Sequence, residues 1–268
     1  MKSFVTTNAF LIVIVLSSIP SGFSQALYAQ WSYETGIQNL ISKDPLLSFN
    51  NYSGFSYSVA ARYTLGANQT KVIEGGTAKD ASIRFQLAKG RLTNHLDNFW
   101  DSRFAGLHFS YHLLSFRKNI HISSGLYGEI QWNESTFFLN NSEYRGRKSG
   151  FAQLTLPFKI SYSIPNMSNH LIIGSVQTNL VSYQLRPGYS VFDPDKLLNK
   201  TPTFINILKT GEFSSPTQNV NWKWMLQWKP NYRHGSPYYI RMEHSYLTID
   251  FPKKMSSVHT SLHVGVHL

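Results

Sequence analysis

Residues 151–164 alternate without a break. Ala152, Leu154, Leu156, Phe158, Ile160, Tyr162 and Ile164 fall on one parity, and Phe151, Gln153, Thr155, Pro157, Lys159, Ser161 and Ser163 on the other. Successive side chains of a strand point to opposite faces, so the stretch sets a continuous apolar face against a mostly polar one. It is longer than the roughly 9–11 residues a tilted strand needs to cross a bilayer. The same pattern recurs along the chain, and it predicts strands with lipid on one side and a polar lumen on the other.

The N-terminus predicts export. Lys2 precedes an apolar run over 9–16, followed by small residues over 21–26. This is the layout of a signal peptide, with cleavage after Ser24 or Ala26, leaving 27–268 as one domain. No later apolar run approaches the ~20 residues of a transmembrane helix. Absence of cysteine removes disulfides, thiolate metal sites and a lipoprotein anchor. A soluble exported protein is the competing class. Against it stand a charged fraction of 15%, below the usual ~25%, and an aromatic fraction of 15%.

The formal charge is +11; removing Lys2 with the signal leaves +10. No basic stripe interleaved with aromatics suggests nucleic acid. Basic residues cluster instead between strands, as Arg145, Arg147 and Lys148, Lys196 and Lys200, and Lys253 and Lys254. At an outer-membrane surface the matching anion is the phosphate of lipopolysaccharide; ordinary solubilising charge is the simpler reading.

Ten strands can be written: 28–37, 54–66, 80–90, 102–115, 119–133, 149–164, 170–185, 218–229, 237–250 and 256–268. Twelve result if 68–75 and 204–211 also pair. The expected fold is therefore all-β, a transmembrane antiparallel up-and-down β-barrel of about ten strands. With the C-terminus periplasmic, connections 116–118, 165–169 and 230–236 are short turns, while 134–148 and 186–217 are long outer loops. A two-residue turn at Arg117–Lys118 would pair Phe116 with Asn119, Tyr111 with Ser124, Leu107 with Gly128, His112 with Ser123 and His108 with Tyr127.

The signal peptide, the alternating strands, the Trp and Tyr girdles and a last strand running to the C-terminus resemble small Gram-negative outer-membrane barrels. The long basic loops and the Tyr- and Asn-rich composition are similar to those of Bacteroidota proteins. Such barrels usually end in Phe or Trp, whereas this chain ends Val266–His267–Leu268. The resemblance implies an outer-membrane location with both termini periplasmic and carries no diagnostic motif.

Three constellations could carry chemistry. His108, His112, His121, His259, His263 and His267 share the polar parity. Residues i and i+4 of one strand lie ~13 Å apart, so no single strand builds a metal site. The expectation is a buried polar network of Arg62, Arg84, His108, His112, Glu129, Lys159, Arg241, Glu243 and His263, filling a narrow lumen without metal or cofactor. The second is His244, which falls on the lipid parity. Outer-membrane lipid hydrolases place a His and a Ser on the outer wall. Here Ser245 is adjacent to His244 and so points inward, which leaves His244 as the one catalytic candidate. The third is the loop 186–217, with Asp193 and Asp195, expected to cap the barrel or meet a protein partner.

Three functions compete on this reading. The first is an outer-membrane barrel with a structural or interaction role, presenting long outer loops. The others are a narrow pore, made anion-favouring by Arg62, Arg84, Lys159 and Arg241, and a lipid-directed hydrolase. The expected partners are outer-membrane lipid, lipopolysaccharide and a protein docking at 186–217, with no nucleic acid.

Overall fold

A computed structural model of the chain describes residues 27–43, 51–67, 77–117, 120–139, 142–164, 170–185, 212–230, 237–249 and 254–268. The strands are β1 (Leu27–Lys43), β2 (Asn51–Ala67), β3 (Thr77–Thr93), β4 (Phe99–Arg117), β5 (Ile120–Leu139) and β6 (Ser142–Ser163). They continue with β7 (Leu171–Leu185), β8 (Glu212–Ser214), β9 (Asn219–Lys229), β10 (Tyr238–Ile249) and β11 (Met255–His267). All pairings are antiparallel. Neighbours pair from β1 to β7, β7 pairs with β9, β9 with β10, β10 with β11, and β11 with β1. The ring closes on ten strands, and the three-residue β8 lies against the end of β7 as an eleventh. Closure gives each barrel strand two partners, as hydrocarbon surroundings demand of a backbone.

The alternation of 151–164 is realised in space. Leu156, Phe158, Ile160 and Tyr162 are exposed on the outer wall, while Gln153, Thr155, Ser161 and Ser163 are buried. The same inversion holds around the ring: Phe55, Tyr57 and Val59 of β2, Leu107 and Phe109 of β4, and Trp222 and Leu226 of β9 face outward. Buried polar side chains outnumber buried apolar ones. An apolar exterior around a polar interior is the pattern of a transmembrane β-barrel. The C-terminus is tied in, since the N–H of Leu268 donates to Trp31 O (2.8 Å) and that of His267 to Pro237 O (2.7 Å).

Three local expectations are corrected. Arg117 pairs with Ile120, so the connection is 118–119 and the β4–β5 register moves by two residues. Phe116 then faces His121, Tyr111 faces Leu126, Leu107 faces Ile130, His112 faces Gly125 and His108 faces Glu129. Asn in the connection suits a tight turn better than Arg does. Because the shift is even, every residue keeps its face. Second, 134–148 is no long loop: β5 runs to Leu139 and β6 starts at Ser142, paired as far as Leu139 with Ser142. Third, 170–185 is not uniformly alternating. Leu154 pairs with Val181 but Thr155 with Asn179, which leaves Leu180 extra. This β-bulge turns both Leu180 and Val181 outward.

The β7 ladder is also broken on its other side. Thr178 pairs with Trp222, whereas Ser182 pairs with Ser214, so β8 and β9 are separated by a turn at 215–218. Asn179 bridges the gap. Its amide donates to Asn219 O (2.6 Å), and its carbonyl oxygen accepts from the N–H of Asn221 (3.0 Å). The segments 1–26, 68–75, 204–211 and 186–211 lie outside the described residues. The signal peptide, the two additional strands of the twelve-strand alternative and most of the capping loop fall there.

The barrel is taller on one side. Strands β4, β5 and β6 have 19, 20 and 22 residues, whereas β9, β10 and β11 have 11, 12 and 13. The extra length stands at the end opposite the termini, the loop end. There β3 turns into β4 through a tip held by Asn94, whose side-chain oxygen accepts from the N–H groups of Leu96 (2.9 Å) and Asn98 (3.1 Å). Asp97 takes the left-handed backbone (φ 57°) that Asp tolerates in such turns.

Candidate functional site in the barrel lumen

Glu34 of β1 anchors the middle of the lumen, and its carboxylate is fully buried. Arg241 of β10 grips it through both guanidinium NH groups, one at 2.7 Å. Arg84 of β3 donates through Nε (3.1 Å), Arg62 of β2 approaches to 3.4 Å, and the Tyr239 hydroxyl donates at 2.7 Å. Arg241 Nε also meets Glu243 at 3.0 Å. Arg62 and Arg84 are directly opposed in register, a like-charge pair that the Glu34 carboxylate offsets.

Glycine makes this convergence possible. Gly265 lies between Glu34 and Tyr239 in register. A Cβ there would come within 2.2 Å of the Tyr239 ring. The missing side chain lets the phenol cross β11 and reach Glu34. One row away, Gly36 faces His263, which faces Arg241. A Cβ on Gly36 would lie 2.3 Å from His263 Nδ1.

Glu129 of β5 anchors a second group. It accepts from Gln153 of β6 (2.7 Å) and from Gln131, and it pairs with Lys223 of β9 (3.4 Å) and with His108 of β4 (3.5 Å). His108 shares a 2.5 Å hydrogen bond with the Tyr127 hydroxyl, and Asn221 donates to Gln153 (2.7 Å). The Lys223–Glu129 bond spans β9 to β5, so the two groups together bridge the bore. Above them, in the loop half, lies a cavity of about 210 Å³. Arg84, Glu129, Lys223 and Glu243 line it below, and Gln86 and Asn133 are among its wall residues.

The expected network is therefore split. Arg62, Arg84, Arg241 and Glu243 gather around Glu34, with His263 beside Arg241, while His108 joins Glu129. Lys159 and His112 sit apart toward the termini, within electrostatic reach of Asp80 and Arg62. Glu34, Lys223, Tyr127 and Tyr239 were not singled out from the sequence, yet they hold the two groups together. The available signal was a lone acid on the polar parity of β1 and the two lysines, Lys223 and Lys229, on that of the Trp-rich β9. Among the described residues no three His, Asp or Glu side chains converge as a metal site.

His244 lies on the outer wall. Its Nδ1 hydrogen-bonds Thr260 Oγ1 of β11 (2.9 Å), and its ring sits 5.7 Å from that of Trp222 and 5.6 Å from that of Trp224. The hydroxyl partner comes from the neighbouring strand, which neither sequence proximity nor motif could have indicated.

The closed ring, apolar outer wall and charged interior define the architecture of an outer-membrane β-barrel. The fold is similar to that of Neisserial surface protein A, at 13% identity and TM-score 0.34, covering 89% of this chain and 98% of that one. It is similar to the outer membrane protease OmpT from Escherichia coli, at 8% identity and TM-score 0.48, covering 93% and 98%. It is also similar to Ail, the attachment invasion locus protein of Yersinia pestis, at 10% identity and TM-score 0.33, covering 90% and 99%. No protein-family model and no curated protein matches the chain.

Proposed function

We propose that this chain is an integral barrel of a bacterial outer membrane, with both termini periplasmic and a bore closed by its own side chains. It acts through the surfaces it presents, as a structural or interaction protein, and not by conducting solute. The carrying observation is the Glu34 group, in which side chains from β1, β2, β3 and β10 converge on one carboxylate. A fully desolvated carboxylate held by three guanidinium groups is a strong, geometrically specific plug. The tall β4–β6 wall and the 186–217 segment would present the interaction surface at the loop end. Swelling of proteoliposomes in iso-osmotic sugars and amino acids tests the closed bore. No swelling above protein-free vesicles is expected, and rapid swelling would overturn the reading.

One observation favours a narrow anion-selective pore as the second reading. The cations Arg62, Arg84, Lys159, Lys223, Lys229 and Arg241 exceed the acids Glu34, Asp80, Glu129 and Glu243 in the bore. Chloride-selective current would support it. The His244–Thr260 hydrogen bond is what favours a lipid-directed hydrolase. That reading requires ester release that His244→Ala abolishes, and release unaffected by the change would remove it.

A further inference from the structure

Exposed acidic and basic side chains on the outer wall gather toward one end. Among the described strand residues, those with an exposed or half-exposed side chain are Lys43, Lys89, Arg91, Asp101, Arg103 and Glu134, toward the loop end of β1, β3, β4 and β5; by register Lys79 and Arg117 hold the same parity at the other end of β3 and β4. Most of them gather on the tall wall. One cross-strand row reads Tyr57, Lys89, Arg103, Glu134, Lys148 from β2 to β6. The row above it contains Arg91 and Asp101, joined by two hydrogen bonds of 2.6 and 2.8 Å.

Lys89 and Arg103 are exposed and stand directly opposite each other. Cβ atoms of such pairs are ~5 Å apart, and like charges in this relation destabilise a sheet. The carboxylates nearby relieve it only in part. Asp101 is hydrogen-bonded to Arg91 yet within electrostatic reach of Lys89 and Arg103, Glu134 stands directly opposite Arg103, and no carboxylate stands opposite Lys89. Neither Lys89 nor Arg103 forms a direct ion pair among the described residues. Toward the termini the wall turns apolar at once: the next outward row is Val59, Leu87, Ala105, followed by Phe85 and Leu107. The cations Lys89, Arg91 and Arg103, three against the two carboxylates Asp101 and Glu134, therefore sit where hydrocarbon gives way to headgroups, a height at which phosphate is the abundant anion.

We infer that Lys89 and Arg103, with Arg91 as an outlying third cation, bind the phosphate of a phosphorylated lipid whose acyl chains lie along Leu87, Phe85 and Leu107. The site is on the strand wall, apart from the basic loop segments. It rests on the outer wall facing lipid and is independent of whether the bore conducts.

The test reconstitutes the full mature chain into phosphatidylcholine vesicles containing lipid A, with either both phosphates or none. Lipid co-purifying after mild detergent extraction is then counted by native mass spectrometry. Retention of the phosphorylated form is expected, falling about tenfold or more in Lys89→Ser/Arg103→Ser. Lys43→Ser, on β1, is expected to leave it unchanged. Heat-modifiable migration in gels checks that each variant is folded. Equal retention by the double variant would overturn the inference. So would equal retention of dephosphorylated lipid A, or full displacement by millimolar inorganic phosphate, which would make the site one for a free anion.

Discussion

Residue 265 decides whether Tyr239 can reach Glu34. A methyl group there would enter the phenol ring, so Gly265→Ala should destabilise the folded barrel by about 1–3 kcal/mol. The penalty should shrink once Tyr239→Ala empties the space. Urea titration of the four chains of this cycle in lipid vesicles checks it, and equal Gly265→Ala penalties in both backgrounds would show that the two residues do not meet. Glu34 carries the larger stake. Glu34→Gln leaves the buried Arg84 and Arg241, with the half-buried Arg62, without their shared carboxylate, an imbalance of the kind that costs about 3–5 kcal/mol. The same titration should show a loss of that order, and a change below ~0.5 kcal/mol would remove Glu34 as the organising charge. At this scale the sequence was partly legible. Polar parity identified Arg62, Arg84 and Arg241 as lumenal. It could not single out Glu34, because what distinguishes that residue is convergence from β2, β3 and β10, which one strand's pattern does not encode.

Strands were legible wherever alternation was strict, as in β6 and β9, because the face of each residue follows from parity alone. Registers and ends were less so. The β4–β5 turn displaced by one residue moved the register by two and so preserved every facing, and no patterning argument could detect the error. The bulge at Leu180 puts two successive apolar residues outward, and β7 therefore carries a parity change that alternation cannot locate. In the segment 134–148 the sequence shows no sustained apolar alternation of the kind that marks a membrane strand. The upper β5 and β6 residues there pair nonetheless, through backbone hydrogen bonds that alternation does not report, so the segment reads as loop. The β3–β4 tip is a local device with its own prediction. Asn94→Ala removes the acceptor of two backbone N–H groups. It should increase hydrogen exchange at residues 94–98, consistent with a loss of about 1–2 kcal/mol, and leave the barrel melt nearly unchanged. Unaltered exchange there would mean that the side chain does not hold the turn.

For the whole molecule, the architecture was the most legible feature, since it follows from repeated alternation and from the need of a membrane-embedded backbone for partners on both sides. The proposed closure of the bore is a property of no element. It depends on Glu34 and Glu129 drawing cations from opposite arcs of the ring, and on Gly36 and Gly265 making room for the rings between them. The central claim is that this bore is shut. Single-channel recording of the folded mature chain in a planar bilayer tests it most directly, alongside a triple variant, Arg62→Ser/Arg84→Ser/Arg241→Ser, that strips the Glu34 group. The account predicts a silent wild type and discrete current steps from the folded variant; stable steps from the wild type would contradict it.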